Sequence, residues 1–475
     1  MLAVDEVAFL GAIDALDLMR RRALSPVELL DAVIARIERD NATVNALTHV
    51  PADEARDAAR LAEDRYAGKG DPPRALEGLP VAVKDEVPIA GMPWTEGSLV
   101  HADRVATFTS PLAQRILDAG GIVHARTTTP EFCVAGFTHS ALWGVTRNPW
   151  APELSCGGSS GGSAAALAAG FTTLATGSDI GGSIRVPAAT CGVVGFRPPF
   201  GRVPELPPFN LDHYNQNGPM ARSVTDAALL ANVISGPHPS DIATVRPKLE
   251  LPLELGDVRG LRVGICVELG GYTIDDDVRS NTLDVAAALA ECGAELVEVE
   301  LPWDPEATRE LAFAHFGLIA GPIVLGHIDT HPELVSDYVV AFARQAAAAA
   351  ERIPAPDGFA REGEHYAQLA RVFERCDGLV CPTMGVAGLP AGDSFVDAPP
   401  VIAGIQLDDY MDAFLTMGFS ITGRCPVLAV PSGRDHAGVP TGVQIVGRTF
   451  EDRTVYEIAA SLESARPWNY PGEVS

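Results

Sequence analysis

Two serine-bearing turns carry the residue types that acyl transfer needs. The first opens Ser155–Ala169, SCGGSSGGSAAALAA, where four serines stand among glycines ahead of an alanine run. The second brings Ser183, 24 residues after Ser159, in ATGSDIGGSIRVPAATCGVVGF. A serine directly after Gly181–Gly182 can expose its oxygen, and glycines let backbone N–H groups converge on one space without Cβ interference. Such a turn supplies a nucleophile and a receptor for the oxyanion it creates. An ordinary glycine turn is the competing reading of the same residues.

Simpler explanations of the first turn fail on its flanks. A linker would run into polar sequence, whereas this one runs into SAAALAAGFTTLATG, a helix of small residues with no polar face, which must be buried. A Walker phosphate cradle requires a lysine after its glycines, and none follows. GGSSG matches the G-x-S-x-G nucleophile turn with Ser159 at its centre, but that turn needs a preceding strand. The preceding TRNPWAPELSC has two prolines and no strand pattern, and the 11 histidines lie in unrelated surroundings rather than as an evident base.

The elements around these turns follow α/β grammar. SPVELLDAVIARIERD is a helix with Ser25 as cap, Pro26 in the first position and Glu28 closing a capping box. LEGLPVAVKDEV holds a short buried strand, Val81–Val83, that ends in charges. SPLAQRILDAGGIVHAR is a helix from Pro111, stopped by Gly120–Gly121, then a strand over Ile122–Ala125. GLRVGICV, a helix through VRSNTLDVAAALAECG and AELVEVEL repeat that order, which argues for layered α/β structure. Pro187 suits the first turn of a short helix after Ser183. Val193–Pro219, with six prolines, is expected to be a long ordered surface excursion, and ARQAAAAAERI a packing helix. No solenoid repeat or free linker divides the chain, so one large domain is expected.

Composition removes several function classes. The chain of 475 residues carries 62 acidic against 35 basic side chains, a net charge of −27. That field repels phosphate backbones and anionic headgroups, so neither nucleic acid nor a membrane surface is an expected partner. Eight dispersed cysteines without a C-x-x-C pair give no zinc spacing and read as buried free thiols. The N-terminal stretch places acids before its apolar residues and arginines after them, the reverse of a secretory signal, and the chain reads as cytoplasmic.

The two turns together, GGSSGGSAAALAAG followed by GSDIGGSIRVPAATCGVVGFRP, resemble the signature block of the amidase signature family of serine hydrolases. GLPVAVKDEVPIAGMPWTEGS resembles that family's lysine segment, with Lys84 75 residues before Ser159. GPMARSVTDAALL, LVCPTM, RCPVLAVPSG and PTGVQIVGR extend the similarity toward the C-terminus. The resemblance implies the amidase signature fold, a central mixed, twisted β-sheet with helices on both faces. It implies an N-terminal helical segment over residues 1–70 packed on a catalytic unit spanning 71–475. It further implies a Ser–cis-Ser–Lys triad in which Ser183 is the nucleophile, Ser159 the bridging serine after a cis peptide bond, and Lys84 the base. Ile180, Gly181, Gly182 and Ser183 then supply the oxyanion-hole amides. Ser160 is expected near Lys84, and Asp179 with Arg185 is expected to brace the nucleophile turn. Cys133, in TTTPEFCVAG, falls in a segment that lines the substrate pocket of relatives, contact and plain packing being equally open.

Lysine is a base only where its cation is destabilised, so the scheme expects Lys84 to be buried with no carboxylate beside it, Asp85 and Glu86 pointing away. It requires no metal and no cofactor. The implied activity is hydrolysis of small, fairly apolar or aryl amides through an acyl-enzyme, extending to esters or carbamates, in a protein that resembles homodimeric relatives. The alternative is the glutaminase subunit of a tRNA-dependent amidotransferase. Cys156, Glu86 and FRPPFGRVP depart from the common pattern of that branch.

Overall fold

The computed structural model describes residues 3–471. Eleven strands build one mixed sheet. In chain order they are β1 (Leu47–His49), β2 (Pro80–Lys84), β3 (Ile122–Thr127), β4 (Leu174–Asp179), β5 (Val194–Arg197), β6 (Gln216–Ala221), β7 (Arg262–Ile265), β8 (Glu295–Glu298), β9 (Gly378–Pro382), β10 (Val427–Arg434) and β11 (Pro440–Gly447). Their spatial order is β1-β3-β2-β4-β6-β5-β10-β11-β9-β7-β8. β2 runs parallel to both β3 and β4, and β7 parallel to β8 and β9; the remaining pairs are antiparallel. The central strands are buried on both faces, which is why they read as apolar runs and not as alternating ones.

Local expectations hold where capping and breaker chemistry is strong. The helix over Pro26–Val44 is capped by Ser25 Oγ, which accepts from the Val27 amide, while Glu28 accepts from the Ser25 amide. The helix from Pro111 ends at Asp118 ahead of the two glycines, and β3 follows. The alanine-rich helix α1 (Gly161–Ala168) is buried along its whole length. Its small face is required: a Cβ on Gly162 would lie 2.4 Å from Thr128 Oγ1. Ser163 uses that closeness, donating to the Thr176 carbonyl at 2.8 Å and meeting Thr127 Oγ1 at 2.8 Å.

The proline-rich stretch Val193–Pro219 differs from the expected surface excursion. Its two ends are the buried strands β5 and β6, and only its middle, around Pro207–Leu211, reaches solvent. Proline and glycine are depleted in strands, so Pro219 and Gly218 conceal β6 from a reading of periodicity.

Helices over Pro305–Phe316, Ala320–Thr330 and Asp337–Arg352 form an aromatic-rich layer over one end of the sheet. Among the described residues no single helix is long and apolar enough to cross a membrane. His315 pins this layer. It stacks on Tyr214 with ring centroids 3.7 Å apart, and its Nε2 lies 2.7 Å from Asp212 Oδ1. Burial alone would drive the proton off His315, but Asp212 and Glu362 outweigh it and push the imidazole up to about 9. An unfolded histidine titrates near about 6.5. The stabilisation is therefore complete below that value and is lost as pH rises through the folded one. The melting temperature should fall between about pH 6.5 and about 9, and His315→Gln should remove that part of the slope in a pH series of thermal melts.

Candidate active site

Lys84 is the last residue of β2 and is fully buried. The strand register places Ala82 opposite Ala175 of β4, so the lysine projects alongside the end of β4. Its Nζ lies 2.7 Å from Ser159 Oγ and 2.9 Å from Ser178 Oγ. The Gly158–Ser159 peptide bond is cis. Ser160 stands one step from the lysine, bonded to Ser178, whose hydroxyl meets the amine. Its amide donates to the Ser183 carbonyl and its hydroxyl exchanges hydrogen bonds with the Ser178 backbone, tying the two turns together. The second hydroxyl on the amine belongs to Ser178, which sequence reasoning passed over; the signal was available only through the parallel register of β2 against β4.

Asp85 turns away from Lys84, as expected. Its carboxyl accepts from the Thr95 hydroxyl and amide and faces Arg126. Glu86 does the opposite of what was expected. Its Oε1 lies 3.5 Å from Lys84 Nζ. The cause is the end of the strand: β2 stops at Lys84, and the turn closed by the Val87 amide on the Lys84 carbonyl brings Glu86 back to the lysine's side.

Ser183 follows β4 and precedes the short helix α2 (Arg185–Cys191), which has Pro187 in its first turn. Among the described residues its hydroxyl has no hydrogen-bond partner, and it faces a cleft. None of the amides of Ile180, Gly181, Gly182 and Ser183 donates to another described group, and all four residues line that cleft. Gly182 has φ +145°, and a Cβ there would lie 2.2 Å from Thr416 Oγ1, which donates to the Gly181 carbonyl. The free amides and the exposed hydroxyl thus open into one volume.

Asp179 and Arg185 hold this turn from behind. Both are fully buried, and the guanidinium meets Asp179 through two hydrogen bonds of 2.8 and 2.9 Å. Arg185 also donates to the Thr416 carbonyl, Ser420 Oγ and Gln444 Oε1, and Asp179 accepts the Ile184 amide. Burial would raise the Asp179 carboxyl, but the charge and hydrogen bonds of Arg185 hold it below the usual carboxylate value. The pair is thus held among the nucleophile turn, the short helix Met417–Ile421 with its cap Thr416, Gln444 of β11, and Arg197 of β5, whose Nε lies 3.6 Å from Asp179 Oδ1.

The cleft has a volume of about 400 Å³. Cys133 lines it, facing Glu86 with a thiol whose ionisation burial opposes. Phe132 and Cys133 both adopt left-handed backbone, φ +52° and +61°, conformations uncommon for residues with side chains and found at functional sites. This geometry aims Phe132 into the cleft and leaves it stacked on His327 at 4.8 Å. Ile180, Phe316, Phe342, Met411, Phe414 and Met417 give it an extensive apolar wall, beside which Ser110, Asn215 and Asn217 are polar. Among the described lining residues the ionisable ones are Glu86, Glu96, Glu205 and Cys133, with no lysine, arginine or histidine. Glu96 pairs with Arg104. Glu205 accepts from Asn217, and burial pushes it up to about 8, so it is neutral at neutral pH.

A profile of the Amidase family matches residues 28–456. The chain is 33% identical over 453 residues to an acylamidase of Rhodococcus erythropolis, covering 94% of this chain and 93% of that protein. It is 32% identical over 484 residues to a glutamyl-tRNA(Gln) amidotransferase subunit of Thermosynechococcus vestitus, covering 94% and 96%. Among solved structures it resembles a bacterial aryl acylamidase of the amidase signature family, with a TM-score of 0.87, 27% identity and 97% of each chain covered. It also resembles 6-aminohexanoate cyclic dimer hydrolase, with a TM-score of 0.83, 27% identity, and 98% of this chain and 99% of the other covered.

Removing Arg185 would leave a buried carboxylate without its counter-charge. Arg185→Leu should cost about 3–5 kcal/mol of stability, read from equilibrium denaturant unfolding. The contribution of the pair should fade as pH falls, because the depressed carboxyl of Asp179 must then be protonated.

Proposed function

The chain belongs to the Amidase family and hydrolyses carbon–nitrogen bonds of non-peptide amides, and we propose that it is a stand-alone amidase for small, uncharged, apolar or aryl amides, acting through Lys84, Ser159 and Ser183. One observation carries the substrate class. The cleft around Ser183 has aromatic and thioether walls, carboxyl groups, and no cationic side chain among its described lining residues. Glutamine would bring both an α-ammonium, which the carboxyl groups of the cleft could meet, and an α-carboxylate, for which the described lining offers no cation and which is costly to bury unpaired. The glutaminase reading is disfavoured on that ground, although amidotransferase subunits are as similar in sequence as the acylamidase.

The chemistry follows from the geometry. Neutral Lys84 takes the proton of Ser159 across their 2.7 Å contact, and Ser159 takes that of Ser183 as its oxygen attacks the amide carbon. Ser183 must turn toward Ser159 for this step, a tightening that catalytic hydrogen bonds commonly undergo on substrate binding. The oxyanion is received by the free amides after Asp179. The relay then runs backward to protonate the departing amine, and water repeats the cycle on the acyl-enzyme. Esters and carbamates present the same carbonyl to the same groups.

A panel of anilide, aliphatic amide, carbamate, ester and glutamine, assayed with wild type and Ser183→Ala, tests this reading. Neutral anilides should exceed glutamine in kcat/KM by about 100-fold or more, and the Ser183→Ala enzyme should lose at least about 1,000-fold. Hydrolysis of glutamine alone would overturn the substrate class. Lys84→Ala should abolish turnover while the protein still melts cooperatively, and wild-type kcat/KM should rise with pH.

A further inference from the structure

The carboxylate beside the buried amine was not part of the expected scheme, and it bears on how that scheme works. Glu86 Oε1 lies 3.5 Å from Lys84 Nζ, is buried, and makes no hydrogen bond. The Glu86 backbone is fixed by Trp94, whose indole donates to its carbonyl at 2.8 Å. The side chain is 20% exposed, reaching into the cleft next to Ser159 and Cys133. We propose that Glu86 is a positioning residue of the reaction, the counter-ion that receives the ammonium formed on Lys84 when Ser183 attacks. The inference rests on Lys84 being the base.

The atoms balance without any further reactant. The Ser183 oxygen bonds to the carbonyl carbon as the carbonyl π pair moves onto its own oxygen, the Ser183 proton passes to Ser159, and the proton of Ser159 passes to Lys84. A positive charge thereby appears 3.5 Å from a carboxylate. Opposite charges at this distance favour the charged amine, with two consequences. In the transition state the carboxylate stabilises the new ammonium and makes the amine a stronger base. The same contact exists before the reaction, so replacing the carboxylate by a neutral amide should change the pH dependence of the reaction. Five other titratable or charged groups face this site. Asp85 is bound to Thr95, Glu96 is paired with Arg104, and burial opposes ionisation of the Cys133 thiol beside Glu86. Arg126 donates to the Val87 carbonyl and acts on both Asp85 and Glu86, and Glu205, pushed up to about 8 by burial, is common to wild type and variants.

The test is the pH profile of kcat/KM and kcat on a neutral anilide for wild type, Glu86→Gln, Glu86→Asn and Glu86→Asp. Both amide variants should move the rising limb to lower pH by about one unit or more and lower the high-pH plateau of kcat about tenfold, as a weaker base must. The aspartate variant should restore the position of the limb. Rising limbs that coincide with wild type, whatever their height, would overturn the proposal, as would a limb displaced to higher pH. If one amide variant failed to fold, the other and the aspartate variant would still decide the matter. A Lys84→Ala enzyme with a wild-type profile would instead sink the assignment of the base, a result distinct from unmoved limbs in the glutamate variants.

Discussion

The structure depends on keeping one lysine amine in the interior. Lys84 is fully buried at a strand end, and its amine touches two serine hydroxyls and one carboxylate. A buried ammonium without such partners would cost several kcal/mol or more. The surrounding elements are arranged to meet that demand. β4 brings Ser178, the turn ahead of α1 brings Ser159, and the turn after β2 brings Glu86. The small residues of α1 allow its helix to approach the sheet closely enough for both turns to reach the same nitrogen.

A second buried charge system supports the first without touching it. Asp179 and Arg185 bracket the nucleophile turn, and the arginine extends to Thr416, Ser420 and Gln444 from the C-terminal quarter of the chain. Gly182 fits between this brace and Thr416 with no room for a side chain. Behind the amides that face the cleft, the carboxylate takes the Ile184 amide and the guanidinium donates to the Thr416 carbonyl.

Much of this was legible in the residues because the signals were local. Ser25, Pro26 and Glu28 specify a helix start through capping chemistry alone. Gly120–Gly121 ends a helix, and the small-residue run after Ser160 can only be interior. The two serine turns and Lys84 were recognisable through a family resemblance, and the structure brings Lys84 and Ser159 into contact. What was missed is non-local or was reasoned incompletely. Ser178 meets Lys84 only through a parallel strand register that sequence does not reveal. Glu86 returns to the lysine because β2 stops at Lys84 and a turn follows, a change of geometry that strand alternation does not anticipate. The strand β6 was hidden by its glycine and proline. The cleft walls come from Phe132, the Pro204–Phe209 segment, Phe316, Phe342 and Met411–Met417, stretches hundreds of residues apart that only the fold assembles.

The reach of Arg185 into residues 416–444 has a bearing on biosynthesis. A ribosome emits the nucleophile turn more than 200 residues before it emits Thr416, Ser420 and Gln444, which complete its bracing. Until those residues emerge, Arg185 lacks the partners beyond Asp179 that make its burial tolerable. The reactive serine therefore takes its final form only after residue 444 has emerged, and a chain cut short near residue 415 would carry every member of the relay yet lack the frame that shapes it.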